Sequence, residues 1–438
     1  MRKTGIGVLA VGALAVSLLA IGGSQAAVAA DYATISGTVR ADDGGGTLTY
    51  PYVELYKKSG TTWNFYDSTS GGTNGTYHFQ NIATGTYTLV FAAQHGDNYV
   101  SEWWDNKPSQ ATATTIAVSN TIGSVTHLTA DASLATGATI SGHLTVPAST
   151  FTADPYISLL QPDTSQGYNG WKYAGLWADP AEDGSGNFTI AGIPAGTYSL
   201  YFGDQAAQSD FAPLYYKSGG AGNGTPNDWQ ASSVVLTAGQ AVTGINVTFT
   251  HGATVTGKVT DYAGTAISGV KATFWRQTSL VIGGAQQWEP WAATTGTTGT
   301  FKALGLPAGT YGLEYTKTGY TTVEYLGGAT FTLGSGQAKA FPTLKMYKKL
   351  TSSVPTISGT KKVGYKLTAN HGTWTAGTSF SYAWYANGVY ISGTSGPTHS
   401  TFTLTSAQRG KKITVKVTGK KAGYTTLTRT SAATVAIL

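Results

Sequence analysis

The sequence predicts an all-β protein of tandem antiparallel β-sandwiches, three of one kind followed by one of another. Three observations predict it. A strand-like segment recurs as Ala33-Thr34-Ile35-Ser36-Gly37-Thr38-Val39, Ala138-Thr139-Ile140-Ser141-Gly142-His143-Leu144 and Ala253-Thr254-Val255-Thr256-Gly257-Lys258-Val259. Its glycines stand 105 and 115 residues apart. Each copy then carries a second signature: Ile82-Ala83-Thr84-Gly85-Thr86-Tyr87, Ile193-Pro194-Ala195-Gly196-Thr197-Tyr198 and Leu306-Pro307-Ala308-Gly309-Thr310-Tyr311. The two glycines of a copy lie 48, 54 and 52 residues apart, so one topology recurs with loops of different length. Third, apolar residues alternate with period two, and no stretch after the N-terminal apolar run sustains a helical apolar period.

Taken in order, the first segment turns Ile35 and Val39, Ile140 and Leu144, and Val255 and Val259 inward. The second reads as a tight turn feeding a strand. Gly85, Gly196 and Gly309 are expected at a turn position of positive φ. After them Tyr87, Leu89 and Phe91 share one face, as do Tyr198, Leu200 and Phe202, and Tyr311, Leu313 and Tyr315. An aromatic cluster trails each copy: Tyr99 to Trp103-Trp104, Phe211 to Tyr215-Tyr216, and Tyr320 to Tyr325. Because it repeats, it is expected in the core or between modules.

These strands, the GIPAGTYSL-type turn and the trailing aromatics resemble the carboxypeptidase-regulatory-like module, a prealbumin-like or starch-binding-like seven-stranded sandwich. The resemblance covers about 31–347, three times over. It implies a fold more than a function: such modules are appendages of carboxypeptidases, starch-active enzymes and bacterial surface proteins, and labels such as α-amylase sometimes follow the appendage. The last part differs. Pro355-Thr356-Ile357-Ser358-Gly359, Gly372-Thr373-Trp374, Tyr382-Ala383-Trp384-Tyr385 and Ile413-Thr414-Val415-Lys416-Val417 resemble a bacterial Ig-like repeat of actinobacterial exported proteins. Asn387-Gly388 is a two-residue hairpin signal, and Trp384 sits where such sandwiches bury a tryptophan. The expected organisation is a signal peptide at 1–30, sandwiches at 31–135, 136–250 and 251–347, and a basic Ig-like domain at 351–438.

The N-terminus carries Arg2 and Lys3, an apolar run from Ile6 to Ile21, and Ala27-Val28-Ala29-Ala30 as a cleavage site. This predicts export, either to the medium or to a loose association with the cell wall. There is no cysteine, which excludes disulfides, thiol catalysis and thiolate metal sites. Cores must come from burial alone, and 41% hydrophobic with 12% aromatic residues suffices for them although only 11% are charged.

Catalytic chemistry finds no support. Gly-x-Ser-x-Gly and His-Glu-x-x-His are absent, and the seven histidines are scattered. Four β modules leave no room for an α/β catalytic domain. No catalytic residue, metal or cofactor is expected. Lys258 and Glu314 hint at an intramolecular isopeptide site, but no Asn or Asp acceptor lies between Leu326 and Leu350.

Two binding chemistries remain. Sugars stack on aromatic faces, and two non-repeated inserts supply them: Trp171, Tyr173 and Trp177, followed by Asp179, and Trp288 with Trp291. Trp63, with Phe65, occupies the comparable region of the first copy. The second chemistry is charge. Between Asp31 and Ala338 there are 11 basic and 21 acidic residues; from Lys339 onward there are 14 basic residues and no acidic one. Lys361, Lys362, Arg409, Lys411, Lys412, Lys420 and Lys421 are candidates for polyanions of the cell wall, with no sign of specific nucleic-acid reading. The reading is a non-enzymatic extracellular binding or spacer protein, with carbohydrate the favoured ligand and a polysaccharide or cell-wall polymer the partner. Its alternatives are an adhesive stalk without small ligand and an accessory of polysaccharide degradation. Exposed aromatics in the inserts favour sugar, buried ones the stalk, and close carboxylates in a cleft an enzyme.

Overall fold

The computed structural model describes residues 32–438 except 122–123, 150, 164–169, 181–183, 207, 283 and 395–398; the expected signal peptide lies outside the described residues. Among the described residues regular structure is almost all strand, with 3-10 turns of three or four residues and no α-helix. No helix is long and apolar enough to cross a membrane. The chain forms two compact units, one holding residues up to 95 with 100–135, the other 96–99 with 136–438.

Three repeats share one architecture of two packed sheets. In one sheet Ala33–Ala41 runs antiparallel to Thr76–Ile82 and parallel to His127–Thr129 and Ala132–Leu134. Ala138–Thr145 and Ala253–Thr260 have the same partners in kind. The other sheet has the order Thr62–Ser70, Tyr52–Ser59, Gly85–Ala92, Glu102–Trp103. Its counterparts are Gly170–Ala178, Pro155–Asp163, Gly196–Asp204, Leu214–Tyr216, and Ala285–Thr294, Lys271–Ile282, Gly309–Thr316, Val323–Glu324.

The alternation read from the sequence is the alternation of the fold. Ile35, Val39, Tyr87, Leu89 and Phe91, and their counterparts in the other two repeats, are all buried. Each such side chain contributes about 1.5–3 kcal/mol of burial. Gly37 and Gly142 are glycines because a Cβ there would stand on the carbonyl of Ala130 or Ile245; at Gly257 it would meet the Phe301 ring.

The second signature has a different physical reason from the expected one. Gly85, Gly196 and Gly309 do not have positive φ. A side chain crowds each glycine instead: a Cβ at Gly85 would stand 2.7 Å from Lys57 Cε and 3.2 Å from the Tyr87 ring, at Gly196 3.1 Å from the Tyr198 ring, and at Gly309 3.2 Å from the Arg276 side chain. Each phenol then donates to the carbonyl four residues earlier: Tyr87 to Ala83 at 2.8 Å, Tyr198 to Pro194 at 3.0 Å, Tyr311 to Pro307 at 2.6 Å. The left-handed residue is instead Asn81, Gly192 or Gly305, with φ of 60°, 68° and 70°. It sits where the pairing with the first strand slips by one, the geometry of a β-bulge.

The C-terminal segment is also two-sheeted. Thr356–Ser358, Lys366–Asn370 and Thr401–Thr403 form one sheet; Val389–Tyr390, Ser379–Ala386, Ile413–Lys420 and Leu427–Thr430 form the other. Trp384 is fully buried and its indole donates to the His399 carbonyl at 2.9 Å. Asn387 and Gly388, at φ 47° and 83°, make the hairpin their sequence announces.

Candidate functional site

The register of the larger sheet aligns the three repeats residue by residue. Trp63 pairs with Lys58, Trp171 with Pro162 and Trp288 with Gln277, each two positions along from a common central row. In that row Tyr56, Leu160 and Trp275 lie opposite Thr88, Ser199 and Gly312. Three tryptophans singled out from sequence therefore hold one place, on the edge strand and facing away from the core.

On the first repeat this outer face carries Tyr56, whose ring lies 5.2 Å from Trp103 and 6.0 Å from Phe65. The Tyr56 hydroxyl donates to Glu54 at 2.8 Å. Burial, then the Glu54 carboxylate, pushes this phenol up to about 12. The Lys58 ammonium stands 5.4 Å over the Trp63 ring, so that tryptophan already carries a cation.

The second repeat has the broadest aromatic face. Tyr201 is its centre, with Tyr215 at 5.2 Å, Tyr156 at 5.9 Å and Tyr173 at 6.2 Å. Burial and its tyrosine neighbours hold the Tyr201 phenol well above the usual range. Tyr156 lies over Gly203, where a Cβ would come within 2.6 Å of its ring. Tyr173 is 62% and Trp177 49% exposed. Between them the edge strand takes two extra residues around Gly175, at φ 86°, and so keeps Trp177, opposite Ser158, on the same face. Asp179 follows, half-buried.

On the third repeat the face is a cleft of about 530 Å³ bounded by Trp275, Trp288, Gly312, Glu314, Glu324 and Thr330. Trp275 and Trp288 are 37% and 39% exposed. Trp291 stands apart from Trp288: it pairs with Phe274 and packs, partly buried, against the core. Its spacing of three from Trp288 already implies this, because residues an odd number apart on a strand face opposite ways. Trp275 carries no signal in the sequence, because it lies in an ordinary-looking strand next to Phe274. Glu314 and Glu324 are opposite one another on adjacent strands. Lys258 is exposed on the other sheet, away from Glu314.

The trailing aromatics divide by the same alternation. Tyr216, Tyr320 and Tyr325 pack against the core as expected, and Phe211 stacks on Phe249 at 5.4 Å. Trp103 and Tyr215 instead turn out onto the aromatic faces.

The basic candidates also divide. Leu438 donates to the Lys361 carbonyl at 2.9 Å, Gly410 to Ile437 at 2.8 Å, Ile437 to Lys411 at 3.0 Å, and Lys412 to Asn387 at 2.8 Å. Lys361, Lys362, Arg409, Lys411 and Lys412 are thus gathered at one pole. Lys420 and Lys421 lie at the far end of Ile413–Lys420, about 25 Å away at strand rise. There Lys421 stands 4.9 Å over Tyr424, whose strand pairs with Lys348 and Lys349. Among the described residues no group of three or more His, Cys, Asp or Glu could hold a metal ion.

No protein-family model matches the chain, and no curated protein matches it. Some solved structures are similar to it at low identity and low TM-score. The streptococcal ancillary pilin is 14% identical over 71% of this chain and 99% of its own, with a TM-score of 0.23. The Bacillus anthracis TIE protein is 12% identical over 72% of this chain, TM-score 0.18, and the chain spans 51% of its length. A candidate carbohydrate binding protein from Bacteroides uniformis is 14% identical over 42% of this chain and 99% of its own, TM-score 0.18.

Proposed function

We propose that this is an exported, non-enzymatic binding protein whose repeats present aromatic faces to a polysaccharide. The observation that carries the reading is the second repeat's outer face, where Tyr173 and Trp177 are largely open to solvent beside Tyr201, Tyr156 and Tyr215. Sugar rings offer apolar C–H faces to such rings and exclude water from them. A purely structural stalk has no use for exposed rings that cost apolar hydration. On this reading the repeats are carboxypeptidase-regulatory-like modules with boundaries near 135, 250 and 347, and the segment from 351 is an Ig-like domain.

A second element is the basic pole. Five cations around the hydrogen bonds of Ile437 and Leu438, in a segment without acids, attract a polyanion such as a cell-wall polymer. That attraction reaches only about 8 Å at physiological salt.

The test is retention of residues 31–438 on starch, cellulose, chitin and purified cell wall at low and high salt. Salt-resistant retention on a neutral glycan, lost in Trp171→Ala/Trp177→Ala, is the expected result. Binding to cell wall alone, lost at high salt or in Lys361→Gln/Lys362→Gln/Lys411→Gln/Lys412→Gln, leaves the repeats as a spacer held by charge and overturns the sugar reading.

A further inference from the structure

We infer that the cleft on the third repeat binds an organic ammonium group. Its walls are two half-exposed indoles on neighbouring strands, Trp275 and Trp288, and its floor is Gly312. Nothing lies within 4 Å of the place a Gly312 Cβ would take. The other repeats carry Thr88 and Ser199 at this row, so the third alone opens a floor there.

The far wall is the Glu314 and Glu324 pair. They are direct cross-strand partners, and neither carboxylate has an ion pair or hydrogen bond to another side chain among the described residues. Like charges directly opposite on a sheet repel, and a bound cation turns that repulsion into attraction. Two carboxylates alone are too few to cage a dehydrated metal ion. Indole faces attract a cation through the ring quadrupole and favour one wrapped in carbon. Aromatic walls, paired anions and an open floor together select an amine or quaternary ammonium carried on a larger body, for which about 530 Å³ leaves room.

The inference does not rest on the sugar reading, which concerns neutral glycan on the second repeat. It is tested by titrating residues 31–438 with choline and its neutral isostere 3,3-dimethyl-1-butanol, and with glucosamine and N-acetylglucosamine, followed by calorimetry. At least one cation is expected to bind about tenfold or more tighter than its neutral counterpart, a difference of about 1.4 kcal/mol. Preference for choline identifies a quaternary ammonium; preference for glucosamine identifies an amino sugar. Trp275→Ala and Glu314→Gln/Glu324→Gln remove the preference. Gly312→Thr fills the floor and removes it as well; Gly312 lacks positive φ, so this variant keeps the fold, which an unchanged melting curve verifies. A Trp171→Ala/Trp177→Ala protein that loses glycan retention keeps its choline titration. Equal affinity for charged and neutral ligands, no binding of either cation, or binding that survives Gly312→Thr overturns the inference. Release of reducing ends from chitosan that disappears in Glu314→Gln also overturns it, because the pair then acts in hydrolysis.

Discussion

Glu102 makes the first repeat lose stability as the pH rises. It lies opposite Phe91 and half-buried, while its neighbour Trp103 faces outward. Burial raises its carboxyl from 4.5 to about 7, the Asp42 charge adds to this, and a hydrogen bond from the Ser133 backbone opposes it. The folded state therefore holds a proton that the unfolded chain gives up between pH 4.5 and 7, so stability falls across that window and stays low above it. At full strength the shift is worth about 3.4 kcal/mol; water screens a half-buried charge, which leaves about 1–2 kcal/mol. Glu102→Gln keeps the shape and an acceptor for the Ser133 N–H while removing the charge. Its advantage over the wild type is near zero at pH 4.5 and grows to about 1–2 kcal/mol at pH 8. The assay is urea titration read by hydrogen exchange of peptides from Gly85–Ala92, which isolates the first repeat from the others. A variant less stable than wild type at pH 8, or an advantage equal at both ends of the window, would refute the reasoning.

Arg276 is buried and ties two repeats together: it donates to Pro226 at 3.1 Å, to Glu289 at 2.9 Å and to Asn227. Arg276→Ala should cost about 2–4 kcal/mol in thermal unfolding, since it strands a partly buried carboxylate. Burial already holds Glu289 above the usual carboxylate range against the pull of Arg276; Glu289→Gln keeps an acceptor for the guanidinium but leaves that buried cation without its counter-charge, so it should also cost about 1–3 kcal/mol, and no loss in either variant would place the energy elsewhere. Gly142→Ala drives a methyl onto the Ile245 carbonyl and should cost at least about 1–3 kcal/mol, visible as a lower melting temperature for the second repeat. The exchange Gly312→Ser/Glu314→Tyr/Glu324→Tyr gives the third repeat side chains of the second; it should leave stability within about 1 kcal/mol of wild type while abolishing any choline binding.

The inner half of this fold is written plainly in the chain. Tyr87-Leu89-Phe91 and its two echoes give strand, face and depth at once, and Trp384 and Asn387-Gly388 give the last sandwich its core and hairpin. The glycines of the second signature are harder to read, because a repeated spacing does not say whether glycine serves its own backbone or makes room for a neighbouring side chain; that neighbour is Lys57 with Tyr87 at Gly85, Tyr198 at Gly196 and Arg276 at Gly309. The outer faces were half legible. Period two sorts residues into two sets without saying which set is wet, so nothing in the sequence separates Trp103 and Tyr215 from the core aromatics beside them. Trp275 is hidden for the same reason, and the gathering of Lys361, Arg409 and Lys411 depends on long-range hydrogen bonds of Ile437 and Leu438 that no local pattern contains.

That division between faces explains how one scaffold carries three surfaces. Successive side chains on a strand point to opposite sides, so the inward set is constrained by the facing sheet and the outward set only by its cross-strand neighbours. Along the central strand the inward residues stay Tyr-Leu-Phe, Tyr-Leu-Phe and Tyr-Leu-Tyr. The outward ones between them run Thr88-Val90, Ser199-Tyr201 and Gly312-Glu314, and the partners opposite the second of each are Trp103, Tyr215 and Glu324. A change from Val and Trp to Tyr and Tyr to Glu and Glu leaves the core untouched. It converts a small aromatic cluster into a broad tyrosine face and then into an acidic cleft between indoles. The repeats are therefore equivalent as structure and unequal as surfaces, which is what a chain needs if its modules are to meet different chemical groups.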